Sequence, residues 1–174
     1  MSSSSSEAPV APISFTALVT EAGALVNEAC SMLASIAFDP PGPSSDEVGP
    51  EWVEYVAFIT CQYGTAGWHL GVAADAETSL RIARAMFGID APSDDEIGDA
   101  MGEVVNVAAG MLKTHLHDRG HDIRIGLPLV QRGAQSCRAM GLGVHRIAAP
   151  LDGEGLRAQS IIVWKQSTTI HPRA

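Results

Sequence analysis

The sequence is poor in basic residues, cysteine and aromatic residues, and each shortage narrows the class of protein. Eleven Lys and Arg residues stand against twenty Asp and Glu residues, which gives a formal charge of −9. Because no Lys/Arg cluster is present, nucleic acid is not expected as a partner. The three cysteines, Cys30, Cys61 and Cys137, are odd in number and lack metal-ligand spacing. We expect them to be reduced and mostly buried.

Long hydrophobic runs and common enzyme fingerprints are also missing. The N-terminus lacks the basic start and apolar run of a signal peptide, and no stretch of eighteen apolar residues occurs. We therefore expect a cytoplasmic protein with no part in a membrane. The chain offers no catalytic triad or P-loop, and Gly141-Leu142-Gly143 lacks the third glycine and the context of a dinucleotide fingerprint. A self-contained enzyme pocket is not expected.

The length and hydrophobic content fit one folded domain. The chain has 174 residues, of which 46% are hydrophobic, and this is enough to bury a core. Residues 1–13 are rich in serine and proline and predict a disordered tail. We place the domain at 14–166 and a C-terminal tail at 167–174.

The hydrophobic patterns predict the element order helix, two strands, two helices, three strands. Such runs of strands, without regular βαβ alternation, are typical of an α+β domain with an antiparallel-rich sheet and helices packed on one face. Pro128 should place its strand at a sheet edge or bulge, since proline cannot donate to a strand ladder. The predicted helices cover 14–37, 75–87 and 93–117, and the predicted strands cover 52–62, 67–74, 122–130, 137–147 and 158–165.

The most informative stretch is the helix that begins after Ser93. Ser93 and Glu96 have the spacing of a capping box, and acidic residues fill the first turn. Apolar residues recur on one side of this helix at the spacing of a core-facing stripe. These are Ile97, Met101, Val104, Val105, Ala108, Leu112 and Leu116.

The opposite side of this helix carries residues that are unusual for a solvated surface. It presents Asp99, Glu103, Asn106, Gly110 and Lys113, with Gly102 on or beside this row. Each mid-helix glycine costs about 1 kcal/mol relative to alanine. Such a face favours close approach by another molecule. The alternative is that Glu103 is merely solvated and Asn106 is a tolerated surface residue.

This row resembles the signature of the CheC/CheX/FliY chemotaxis phosphatases, and most closely CheX. The resemblance rests on Asp99-x-x-x-Glu103-x-x-Asn106, on Gly110 in the same helix, and on Pro128 in the strand-like run that follows. It extends over residues 14–166, because the element order also fits. It implies an α+β fold with an internal pseudo-repeat, and a homodimer.

The resemblance also implies a function and a role for each residue. The substrate would be the phosphoaspartate of a CheY-like receiver domain, which supplies its own Mg²⁺ and lysine, so this chain would bind no cofactor. Asn106 matches the residue that orients the attacking water, and Glu103 matches the acid that pairs with the receiver's lysine. Gly102 and Gly110 would keep the helix surface low, while Asp99 and Pro128 would support the geometry.

Other interpretations of the chain remain. Asn27 occupies a place in the first helix comparable to that of Asn106, but Ala24 stands where the acid should be, so we expect one active face. The chain could instead be a non-catalytic adaptor that binds a receiver or a sensory protein through the same helix.

A metal site is the third interpretation. His115, His117 and His121 with Asp118 could ligate zinc. However, H-x-H on a helix points the two rings about 200° apart, which disfavours such a site. His69, which alternates with apolar neighbours, is expected to be structural.

Overall fold

The computed structural model describes residues 13–46, 51–133 and 145–165. Within these residues the element order is helix, two strands, two helices and three strands, as the sequence predicts. The bounds are α1 Phe15–Ala34, β1 Tyr55–Tyr63, β2 Ala66–Ala74, α2 Ala76–Phe87, α3 Asp94–Asp118, β3 Arg124–Arg132, β4 His145–Gly153 and β5 Leu156–Trp164. The predicted tails lie outside the described residues, apart from Ile13.

The strands form one five-stranded sheet in the order β3-β1-β2-β5-β4. Every neighbouring pair is antiparallel. Short turns join β1 to β2 and β4 to β5. The second turn contains Asp152-Gly153-Glu154-Gly155, a sequence typical of a turn, and Glu154 and Gly155 both have positive φ. Because helices pack against this sheet, the predicted α+β class with an antiparallel sheet is confirmed.

The position of β4 corrects a sequence prediction. The strand predicted over 137–147 is a strand at His145–Gly153, and 137–144 lie outside the described residues. Proline normally argues against a central strand, but Pro150 occupies β4, whose only strand neighbour is β5 among the described residues. Pro150 O instead accepts a hydrogen bond from Gly42 N at 3.0 Å, on the side of β4 away from β5.

The segment 39–45 runs beside β4, although its proline and glycine content predicts a plain loop. Besides Gly42, Asp39 N donates to Asp152 O at 2.7 Å, and Ser45 N donates to Ala148 O at 2.8 Å. These bonds occupy backbone groups that a sheet edge otherwise presents to other chains. This segment therefore protects the β4 edge.

The core lies between the helices and one face of the sheet, and the predicted apolar stripe of α3 is buried in full. The helical spacing of apolar residues in 14–37 and 75–87 also predicts Met32 and Phe87 as core residues, and both predictions are wrong, because Met32 is 66% exposed and Phe87 is 43% exposed. Met32 lies outside the buried residues of α1, and Phe87 is the last residue of α2. Helix α1 also ends at Ala34 rather than near residue 37, because Ser35 adopts a left-handed conformation.

The two described cysteines and His69 agree with their structural interpretation. Cys30 and Cys61 are free and buried, and burial raises the pKa of each thiol to about 12. His69 is half-buried, with its Nδ1 atom 3.3 Å from Thr60 Oγ1, and burial lowers its pKa. No helix in the described part of the chain is long and apolar enough to cross a membrane.

Candidate functional site

The candidate site lies on α3, and the start of this helix is fixed by its cap. Ser93 Oγ accepts a hydrogen bond from Glu96 N at 3.3 Å, while Glu96 Oε2 accepts from Ser93 N at 2.7 Å. These bonds form the predicted capping box. Hydrogen bonds from Ser93 lower the pKa of Glu96. A fixed first turn sets the rotational phase of every residue that follows.

The outer row of α3 faces away from the core, as the sequence predicts. Asp99, Glu103 and Lys113 are exposed, and Asn106 and Gly110 are partly exposed. Their spacing of four and three residues keeps them on one helix face. Most of the residues between them, including Val104, Val105 and Ala108, are buried. The packing of α3 therefore holds the row at the surface.

Glu103 and Asn106 are one helical turn apart and unengaged. Among the described residues, no hydrogen bond or ion pair to either side chain is found. A Cβ placed on Gly110, one turn beyond Asn106, would meet nothing within 4 Å. The row thus combines a carboxylate, a carboxamide and a bare stretch of helix that another molecule can approach.

The structure corrects the role given to Gly102. Gly102 is buried rather than on the outer row, and a Cβ there would lie 3.4 Å from Val130 and 3.8 Å from Pro128. Gly98, one turn earlier, lies against the same strand, with a Cβ position 3.8 Å from Val130. These glycines let α3 pack closely on β3 instead of lowering a binding surface. The G-x-x-x-G spacing of Gly98 and Gly102 was the available signal.

Pro128 lies on β3, at the sheet edge, and next to a register irregularity. Pro128 is opposite Ile59, and the next pair along the two strands is Cys61 with Ile125, which marks a shift in register. The predicted edge or bulge position is therefore confirmed. Since Pro128 contacts the glycine-bearing side of α3, it can set the height of that helix above the sheet but is not part of the outer row.

A polar cluster that the sequence did not reveal anchors the start of α3. Asp94 accepts a hydrogen bond from the Tyr55 hydroxyl at 2.9 Å and pairs with Arg132. Arg132 Nε also donates to Glu54 Oε1 at 2.5 Å, and its guanidinium lies 5.6 Å from the Tyr55 ring centroid. The bond to Glu54 raises the pKa of Arg132. These contacts tie α3 to β1 and β3.

Asp99 differs from Glu103 and Asn106 in its surroundings. It lines a shallow groove between the first turns of α3 and the end of β3, together with Gly98, Val130 and Gln131. Glu103 and Asn106 do not line this groove. The structure thus places Asp99 beside the α3–β3 contact, one turn before Glu103.

The histidines near the end of α3 point to separate partners. His115 Nδ1 lies 3.4 Å from Glu21, His117 Nδ1 lies 3.3 Å from Asp122, and His121 is buried with its ring 5.5 Å from that of Tyr63. In the part of the chain that the structure describes, no group of three metal-ligating side chains is found.

The asparagine of α1, Asn27, differs from Asn106 in its hydrogen bonds. Asn27 Nδ2 donates to Phe38 O at 2.9 Å, and Asn27 Oδ1 accepts from Phe38 N at 2.8 Å. Ala24, one turn earlier, is exposed. The amide of Asn27 is therefore occupied within the chain and has no neighbouring acid at that position.

This sheet with its helices defines a CheC/CheX-like fold. A CheC-like superfamily protein from Shewanella sp. PV-4 superposes with a TM-score of 0.71 at 18% identity, covering 88% of this chain and 99% of that one. CheX from Vibrio vulnificus gives 0.69 at 17% identity, covering 86% and 99%. A CheX–CheY–BeF3–Mg complex from Borrelia burgdorferi gives 0.65 at 15% identity, covering 84% and 96%.

The sequence itself narrows this fold class to one family. The family model described as "Chemotaxis phosphatase CheX" matches residues 55–151, which is more than half of the chain. The chain therefore belongs to the CheX family. No curated protein matches the sequence significantly.

Proposed function

We propose that this protein is a phosphatase that removes the phosphoryl group from the phosphoaspartate of a CheY-like response regulator in chemotaxis or two-component signalling. The observation that carries the proposal is the pairing of Glu103 with Asn106, one turn apart on the open face of α3 in a CheX family member. The Borrelia relative, which has the same fold, was solved together with CheY, and this supports the class of partner.

The reaction is hydrolysis of an acyl phosphate. A water oxygen attacks the phosphorus in line, the bond from phosphorus to the aspartate oxygen breaks, and phosphate leaves while the carboxylate is restored. Such a transfer depends on positioning and electrostatics more than on covalent help. A protein that contributes only one or two oriented side chains can therefore accelerate it.

Asn106 would position the water. Its side-chain oxygen can accept a hydrogen bond from that water and its amide can donate one, so a carboxamide can fix the water's orientation without changing charge. Because Asn106 has no hydrogen-bond partner among the described residues, these groups remain available.

Glu103 would dock the receiver. Its exposed carboxylate can form an ion pair with the receiver's active-site lysine, which places Asn106 over the phosphoryl group. Mg²⁺ bound by the receiver would neutralise charge on the phosphoryl oxygens. This chain would bind no cofactor of its own.

The surrounding residues would hold this geometry. Gly110 adds no side chain to the helix surface beside Asn106, so a receiver can approach closely. Gly102 and Pro128 would set the distance between α3 and β3. Asp99, in the adjacent groove, would support the docking of the receiver near Glu103. We also propose a cytoplasmic location. We further propose a homodimer, which sedimentation of the purified protein would test.

Phosphate release from a phosphorylated receiver domain, with Mg²⁺ present, tests the function. The comparison includes the receiver alone and the receiver with wild type, Glu103→Ala or Asn106→Ala. We expect wild type to accelerate release, and Asn106→Ala to reduce that acceleration about 10²-fold or more. Wild-type rates in Asn106→Ala would refute its role. Binding of a cognate receiver without acceleration would instead indicate a non-catalytic adaptor.

A further inference from the structure

Lys113 is the last member of the outer row of α3, and no contact among the described residues accounts for it. It is exposed and is one of two lysines in the sequence, the other being Lys165. The described residues provide no ion-pair partner for it. The positions three and four residues away hold Ala109, Gly110, Leu116 and His117, so no acid is within reach along the helix.

Stabilisation of the helix dipole is a weak explanation for this lysine. Helix α3 ends at Asp118, five residues beyond Lys113. The dipole acts mainly within the last turn, where His115 and His117 already stand. Lys113 thus lies on the same face as Glu103 and Asn106 without an evident structural task.

Helix geometry directs this lysine toward the candidate site. Lys113 is seven residues after Asn106, which is about 10 Å along the axis. Side chains in a helix lean toward its N-terminus, so a residue covers the turn before its own Cα. That turn holds Gly110, where even a Cβ would meet nothing within 4 Å. The lysine stem can therefore extend over Gly110 toward Asn106.

We propose that Lys113 is a specificity-determining residue which reaches over Gly110 and attracts the negatively charged phosphorylation site of a docked receiver. This proposal rests on the proposed phosphatase function. The row then carries negative charge at Asp99 and Glu103 and positive charge at Lys113. A partner whose charges match both ends can dock in one orientation only.

Lys113 should affect the binding of the receiver rather than the rate of the chemical step. The receiver is negatively charged at this site both before and during phosphoryl transfer, so an ammonium group several ångströms away attracts both states similarly. Uniform attraction of this kind changes KM and leaves kcat nearly the same. A charge at the rim of an interface also makes binding sensitive to salt.

The test uses the full chain and a CheY-like receiver domain phosphorylated with a small-molecule phosphodonor. KM and kcat for phosphate release are measured for wild type, Lys113→Ala, Lys113→Glu and Lys113→Arg, at low salt and at high salt. Lys165→Glu is the matched control, because it makes the same charge change at an exposed residue outside the row.

At low salt we expect KM to rise about threefold in Lys113→Ala and about tenfold in Lys113→Glu, with kcat nearly unchanged. Lys113→Arg should retain the wild-type KM because it keeps the charge, and high salt should reduce the differences. Equal KM values for Lys113→Glu and Lys165→Glu, with wild type active, would overturn this proposal alone. An inactive wild type would overturn the phosphatase function and this proposal with it.

Discussion

Helices α1 and α3 are alike in outline and differ in what they leave open. Each buries one side against the sheet, and each has an asparagine away from its fully buried stripe. The amide of Asn27 is bound to the backbone of Phe38 by two hydrogen bonds, whereas Asn106 has no such partner among the described residues. Asn27 of α1 thus binds the chain that follows the helix, whereas Asn106 of α3 is partly exposed at the surface.

The neighbours of the two asparagines explain the difference. Asn27 is followed by a chain that leaves α1 at Ser35 and returns past the helix, so backbone groups come within reach of its amide. After Asn106 the helix continues to Asp118, and the bare Gly110 follows instead of a loop. An accessible amide that the described residues leave unengaged, beside an exposed acid on the same face, marks a candidate site.

The largest predicted effect separates the two asparagines by function. Asn106→Ala should lower the acceleration of receiver dephosphorylation about 10²-fold or more and leave the free energy of unfolding nearly unchanged. Asn27→Ala should have the opposite profile, because it leaves Phe38 N and O without partners, at a cost of about 1–3 kcal/mol. Phosphate release and urea unfolding of both variants provide the comparison.

The comparison would fail if Asn27→Ala and Asn106→Ala changed activity and stability in the same way. If both variants lost activity without losing stability, α1 would also carry a site. Matched destabilisation of both variants would instead show that Asn106 has a structural partner in solution.

The second prediction separates Gly102 from Gly110, two of the three glycines of α3. Gly102→Leu should lower the free energy of unfolding by about 1–3 kcal/mol, because the new side chain must displace Val130 and Pro128. Gly110→Leu faces open space and should gain up to about 1 kcal/mol from higher helix propensity. It should nevertheless raise KM for the receiver, since it fills the approach beside Asn106.

Urea unfolding and receiver dephosphorylation of both glycine variants test this assignment. Destabilisation by Gly110→Leu, or an unchanged stability of Gly102→Leu, would contradict the environments assigned to these residues. Gly102→Ala is a useful control, because its Cβ would lie 3.4 Å from Val130, an ordinary contact distance.

Much of this site follows from local sequence, because helix periodicity and capping are local. Ser93 and Glu96 predict where α3 begins, and the spacing of Asp99, Glu103 and Asn106 then predicts a shared face. The burial of Gly102 could not be predicted in this way. It depends on β3, which returns to the helix more than twenty residues later, and on the height at which Pro128 and Val130 support it.

The remaining surprises also come from contacts between distant parts of the chain. Arg132 reaches both Glu54 and Asp94, and the segment 39–45 pairs with β4. Neither contact has a local pattern. Pro150 fits in β4 because β4 pairs with one strand only, β5, among the described residues.

The smallest predicted effect concerns the N-caps of α3 and α1. Ser93→Ala should lower the free energy of unfolding by about 1 kcal/mol, because Ser93 Oγ accepts from Glu96 N. Ser14→Ala should cost little, since the Ser14 side chain makes no capping hydrogen bond.

The cap of α3 should also depend on pH, because its hydrogen bonds lower the pKa of Glu96 from the ordinary value of 4.5. A carboxyl group with a lowered folded-state pKa stabilises the fold above its unfolded pKa and loses this effect as pH falls through the folded value. The difference between wild type and Ser93→Ala in urea unfolding should therefore be full at pH 7 and shrink below about pH 4.5. A difference that stayed constant on acidification would mean that the ionised Glu96 carboxylate does not contribute to the cap.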